Sequence, residues 1–220
     1  MIIIFDLDDT LYRREDFVNN GLKNVANIIC SKNKKYKINQ VYLNLKKLYK
    51  NPKVKNIFNY FLKENNINNL SKQKCLSVYR YGTNKLKLYP QALNLLKAYT
   101  KKCYLITDGN KNVQRYKIKQ LKIKKYFKKI FITNVYGIKY QKPSIYCFEK
   151  IKKIEKCDFK NMVYIGDNPN KDFIGCNMVG IKTIRLQKGE FKNLVKKFPY
   201  EAKYRIKNLN NLENILSLFS

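Results

Sequence analysis

Residues 2–10 constrain the fold of this chain more than any other stretch. Ile2, Ile3, Ile4 and Phe5 form an unbroken apolar run. A run without polar alternation fits a strand buried on both faces, as in a parallel sheet covered by helices on either side. Asp6-Leu7-Asp8-Asp9-Thr10 follows at once. Carboxylates at the carboxyl end of such a strand stand where open α/β sheets place their ligands.

The next stretch has helical periodicity. Val18, Leu22, Val25 and Ile29 share one spacing, and Ile38, Val41, Leu45 and Leu48 another. Ile57, Phe58, Phe61 and Leu62 suggest a third helix, and Ser71 is placed to cap a fourth. No strand pattern interrupts residues 14–88, so this segment reads as an inserted, all-helical unit. Pro90 opens a further helix through Leu93, Leu96 and Tyr99. Strands and helices then alternate: strand 103–107, helix 112–121, strand 130–133, helix 144–155, strand 162–165, helix 170–179 stopped by Gly180, strand 181–186, a short strand 203–206 and a last helix 212–218. This alternation predicts an α/β domain with a doubly wound parallel sheet. The expected division is a core of residues 1–13 and 89–220, with 14–88 as a smaller helical domain.

The chain has 220 residues and no histidine, which removes histidine-based triads and imidazole zinc sites. Its six cysteines form no C-x-x-C pair and are expected to be buried free thiols in a reducing cytoplasm. The apolar start is too short for a secretory signal, and no apolar run approaches the ~18 residues of a membrane span, so a soluble, cytoplasmic protein is expected. Net charge is +32. Such a charge suits nucleic-acid binding, yet the lysines are spread along the whole chain, and a composition rich in Lys, Asn, Ile and Tyr is also what an AT-rich genome encodes. Either way it draws anionic substrates.

Polar residues gather at the expected strand ends: Asp6 and Asp8 after the first, Thr107 ending the second, and Asp167 and Asp172 beyond strand 162–165, with Lys142 ahead of helix 144–155. Converging carboxylates repel unless a hard cation joins them, and oxygen ligands of this kind suit Mg²⁺. One hydroxyl and one lysine add donors for an oxyanion. Together these are the parts of a phosphoryl-transfer site.

Four motifs then resemble those of the haloacid dehalogenase superfamily, in that family's order: Phe5-Asp6-Leu7-Asp8-Asp9-Thr10-Leu11, Leu105-Ile106-Thr107-Asp108-Gly109, Lys142-Pro143, and Gly166-Asp167-Asn168-Pro169-Asn170-Lys171-Asp172. The resemblance covers the whole chain. It implies a Rossmann-like core and a helical cap similar to that of the phosphoglycolate phosphatase-like and nucleotidase-like members. It also implies roles. Asp6 is the nucleophile and Asp8 the general acid and base. Thr107 and Lys142 hold the phosphoryl group, with Asp108 and Gly109 at the substrate. Asp6, Asp8 (through its backbone carbonyl), Asp167 and Asp172 are the expected surroundings of Mg²⁺. The dehalogenases lack an acid at the position of Asp8, and the transport ATPases carry D-K-T-G-T, so a phosphatase of a small phosphate monoester is expected. A phosphomutase, or a phosphatase acting on nucleic-acid ends, is the alternative. Asp172 could instead be a helix-start charge, Asp108 could only shape its loop, and Tyr12 could merely pack.

Overall fold

The opening apolar run forms the axis of the sheet. In the computed structural model, which describes residues 1–83 and 85–219, the strands are β1 (Ile2–Phe5), β2 (Cys103–Thr107), β3 (Phe127–Ile132), β4 (Met162–Gly166), β5 (Lys182–Leu186) and β6 (Tyr204–Ile206). Asn84, in the expected insertion, and Ser220, the end of the expected core, lie outside the described residues. The six strands pair in the order β3-β2-β1-β4-β5-β6, all parallel. The α/β, doubly wound reading of the sequence therefore holds.

Burial explains the strand sequences. Every residue of β2 and β4 is buried, as is β1 apart from Ile2. Central strands of a parallel sheet have no solvated face, so they read as continuous apolar runs. The edge strands differ: β3 exposes Lys128 and Lys129, and β6 exposes Arg205. Charges at such edges discourage pairing with another chain. The lysines also explain why β3 begins three residues before the Ile130 expected from hydrophobicity. The core pools Ile4, Tyr104, Phe131, Phe148, Met162 and Phe173, among others.

The described chain divides into two units, residues 1–14 with 87–220 and residues 15–86. The second unit is built from α1 (Arg14–Lys32), α2 (Ile38–Lys50), α3 (Ile57–Glu64) and α4 (Lys72–Tyr81). It has its own core of Leu22, Val25, Ile29, Val41, Leu45, Phe58, Phe61 and Cys75. The Ser71 hydroxyl accepts from the Lys74 backbone N at 3.1 Å, capping α4 as its position predicts. In the first unit the helices are α5 (Pro90–Ala98), α6 (Lys111–Gln120), α7 (Tyr146–Glu155), α8 (Ile174–Met178) and α9 (Leu212–Ser217). All six cysteines are free and five are buried. No helix among the described residues is long and apolar enough to cross a membrane.

α8 starts four residues later than the pattern predicts. The expected first turn is instead a loop closed on its own side chain: Asn168 N donates to Asp172 Oδ2 at 2.8 Å, and Asp172 N to Asn168 O at 2.9 Å. α7 likewise begins at Tyr146, because Ser144 N closes a turn on Gln141 O at 2.9 Å.

A buried ion pair braces the first motif from behind. Arg185 on β5 is fully buried and donates to Glu201 Oε2 at 2.6 Å and to the Phe191 carbonyl. It thereby fixes the loop after β5, whose Glu190 N donates to Asp9 Oδ2 at 3.3 Å, while Arg14 N donates to Asp9 Oδ1 at 2.9 Å. Removing one partner of a buried pair strands the other charge, at a cost of about 3–5 kcal/mol. Glu201→Ala is therefore expected to lower the urea midpoint severely, and Arg185→Met added to it to restore part of the loss. Chemical denaturation of the two variants checks both.

Candidate active site

The strand order reverses at β1, with β2 on one side and β4 on the other. The crevice at such a switch point, beyond the carboxyl ends of the strands, is where α/β sheets bind ligands. Asp6 leaves β1 with its backbone N still donating to Ile165 O of β4 at 2.8 Å. This register sets Asp6 beside Asp167, which follows β4. Asp172 arrives from the closed loop before α8. An oxygen from each of the three carboxylates lies within 4.8 Å of the others, and all three residues are buried.

α8 approaches the Lys142-Pro143 loop very closely. A Cβ at Gly175 would sit 2.0 Å from the Pro143 carbonyl oxygen, so only glycine allows the approach. This brings Lys142 into the carboxylates. Its Nζ donates to Asp6 Oδ1 at 2.6 Å and to the Tyr164 hydroxyl at 2.8 Å, and it stands 2.8 Å from Asp172 Oδ1. The Tyr164 hydroxyl donates in turn to Asp172 Oδ1 at 3.3 Å. Burial alone would lower the pKa of Lys142, but Asp172 and Asp6 outweigh it and hold the ammonium well above its usual range.

The cluster suits a divalent cation on charge and chemistry. Among the described residues three carboxylates face one ammonium, Lys142, which contacts Asp6 and Asp172, so acid outweighs base in this buried space. These surroundings favour the protonated form of the carboxyls. Burial, reinforced by Asp172 and opposed by Lys142, raises Asp6 to about 6. Burial, with Asp172 and Asp6 adding to it, raises Asp167 well above the usual carboxylate range. An all-oxygen set of this kind fits a hard cation such as Mg²⁺.

Asp8 does not bring its carboxylate into the cluster. Lys117 of α6 contacts both of its oxygens, at 2.7 and 2.9 Å, Gln114 Nε2 donates at 3.1 Å, and the Tyr12 hydroxyl donates as well. Burial would raise Asp8, yet the Lys117 charge and these hydrogen bonds hold it down at about 2. Asp108 is also fully engaged. It accepts from Thr133 Oγ1 at 2.7 Å, from Lys142 N at 3.2 Å and from Lys171 Nζ at 3.0 Å. Its carboxylate thus ties three loops together. Thr107 is buried at the end of β2, and Gly109 takes a φ of +123°, a backbone conformation that glycine adopts without strain.

Tyr164, Lys117, Thr133 and Lys171 were not singled out by sequence. Gln114 and Lys117 lie with Ile118 on the buried face of α6, a placement that only the docking of the helix reveals.

The sequence profile described as Haloacid dehalogenase-like hydrolase matches residues 3–186. The chain belongs to this family and is a hydrolase. A glyceraldehyde 3-phosphate phosphatase of Pyrococcus furiosus is 27% identical over 223 aligned residues, covering 98% of this chain and 92% of the relative. Two solved structures share the fold: a 2-haloacid dehalogenase of Pseudomonas syringae pv. Tomato DC3000 (TM-score 0.67, 20% identity, all of both chains) and a candidate beta-phosphoglucomutase of Thermotoga maritima (TM-score 0.70, 16% identity, 99% of each).

The raised pKa of Asp167 has a consequence for stability. A buried carboxylate with a raised folded-state pKa destabilises the metal-free fold as pH climbs through the acid range and above it. Asp167→Asn should therefore raise the Tm of metal-free protein at pH 7, by ~2–4 °C per kcal/mol of repulsion relieved in a chain of this size. The gain should vanish near pH 4, where the native carboxyl is already protonated. Calorimetry of wild type and variant at the two pH values measures it.

Proposed function

We propose that the protein is a Mg²⁺-dependent phosphatase that hydrolyses a small phosphate monoester through an aspartyl-phosphate on Asp6. The observation that carries this reading is the buried cluster of Asp6, Asp167 and Asp172 on Lys142, at the switch point of the sheet. The relative from Pyrococcus furiosus is a glyceraldehyde 3-phosphate phosphatase matched along nearly the whole chain. Triose-sized sugar phosphates are therefore the first substrates to test. The helical unit, residues 15–86, serves as the cap that selects among them, and the free thiols suit a cytoplasmic setting.

Asp6, Asp167 and Asp172, with the backbone carbonyl of Asp8, are the residues that would hold Mg²⁺, whose charge would offset that of the cluster, favour the ionised Asp6 and allow phosphoryl oxygens to approach. Lys142 and Thr107 orient the phosphoryl group. The Asp6 carboxylate attacks phosphorus, and the ester oxygen leaves with a proton that Asp8 takes up from solvent as the substrate enters, since the free carboxylate is ionised. Asp8 then takes a proton from water as the water attacks the aspartyl-phosphate, which releases phosphate and restores Asp6. The dry surroundings of Asp6 and Lys142 strengthen each of these interactions.

The test is turnover of an aryl phosphate and of glyceraldehyde 3-phosphate, with intact-protein mass after brief exposure to the aryl ester. Activity should need Mg²⁺ and disappear with excess chelator. Asp6→Asn should show neither turnover nor a phosphate adduct. Asp8→Asn should lose ~10²–10⁴-fold, the usual worth of acid–base catalysis, and accumulate the adduct. Undiminished activity in excess chelator, or an adduct on Asp6→Asn, would overturn the reading.

A further inference from the structure

Asp8 is held apart from the other carboxylates with unusual completeness. Its side chain is 21% exposed, against 6% for Asp6. A carboxylate offers about four acceptor positions, and four donations reach this one: Lys117 on both oxygens, Tyr12 on Oδ1 and Gln114 on Oδ2. The donors are themselves fixed. Tyr12 bridges to Leu88 through the backbone. Gln114 and Lys117 stand three apart on α6 and so face the same way. Gln114 Nε2 also donates to the Asp108 carbonyl. A flipped amide would set its oxygen against two acceptors, so the amide has one workable orientation. The Lys117 side chain is only 7% exposed, an uncommon place for a lysine on a helix.

We propose that Lys117, seconded by Gln114 and Tyr12, is the positioning residue for the acid–base step, fixing the Asp8 carboxylate at the rim of the site and away from the nucleophile. The inference rests on the phosphatase reading and adds a residue to it. Lys117 acts through Asp8 and touches no reacting atom. Its loss frees the carboxylate to leave the one position from which it can serve the ester oxygen and the attacking water.

The test compares esters that differ in their need for a proton. A 2,4-dinitrophenyl ester expels a stable anion unaided, whereas glyceraldehyde 3-phosphate expels an alkoxide that must be protonated. Lys117→Met should reduce kcat on the alkyl ester about 10–100-fold, a share of the ~10²–10⁴-fold that acid–base catalysis provides. The rate of the dinitrophenolate burst should stay within about threefold of wild type, because that step is attack by Asp6 alone. Lys117→Arg, which keeps a charged donor, should recover most of the alkyl-ester activity. Tyr12→Phe should show a smaller loss with the same ester preference, and it serves if Lys117→Met does not fold. Equal losses on both esters, or no loss on either, would overturn the positioning role. Asp6→Asn run in parallel separates the two failures: a burst that survives in that variant sinks the phosphatase reading itself, whereas its absence leaves only Lys117 in question.

Discussion

Three carboxylates share a dry space with one ammonium, and much of the core is arranged around that imbalance. The register of β1 against β4 sets Asp6 beside Asp167, and the loop closed by Asn168 delivers Asp172. Gly175 lets α8 come close enough to the Pro143 carbonyl that Lys142 reaches both Asp6 and Asp172. Tyr164 contributes a hydroxyl from inside β4, where the neighbouring residues are apolar. An array of this kind is poor packing as a core and good preparation for a ligand carrying positive charge. Sites that violate core rules in this way are where function is expected.

The two aspartates of the first motif lie two residues apart and have opposite electrostatics. Asp6 faces inward among carboxylates and is pushed up to about 6, whereas Asp8 is gripped by Lys117 and held at about 2. The proposed roles call for an ionised nucleophile and a protonated acid, so the metal-free split runs opposite to the one they need. A cation in the cluster reverses the first half by favouring the Asp6 carboxylate over its acid. The second half of the proposed mechanism would require Asp8 to take up a proton with the substrate, against the Lys117 charge that fixes it in place. Chemical division of labour between identical side chains thus comes from their neighbours.

Much of this was legible in the chain because buried parallel strands cannot hide: Ile2–Phe5 and Met162–Gly166 are apolar throughout and end in acids. Asp167 was readable for the same reason, as an acid just past an apolar strand, whereas Lys142, one lysine among many, was readable only from Pro143 and its place in the order of the motifs. Lys117 was not, because it is one of 47 basic residues and its inward direction depends on how α6 docks. Tyr164 reads as a core aromatic until Lys142 comes within reach of its hydroxyl. The boundaries of α8 and β3 were misread where a side chain overrode local pattern, Asp172 closing its loop in one case and solvent-facing lysines masking an edge strand in the other.

The parallel topology also dictates when this site can come into being. A sheet with no hairpin offers the growing chain no local pair of strands, and the Lys142–Asp6 contact joins residues 136 positions apart. Such contacts require closing long stretches of chain before they return any stabilisation. No fragment that lacks either β1 or the segment after β4 holds the three carboxylates together. Whatever binds there recognises only molecules whose N-terminal strand and late loops have already met, and so draws the population toward the completed fold. A ligand held by these carboxylates would thereby also report the protein's maturation, silent on every partly assembled form.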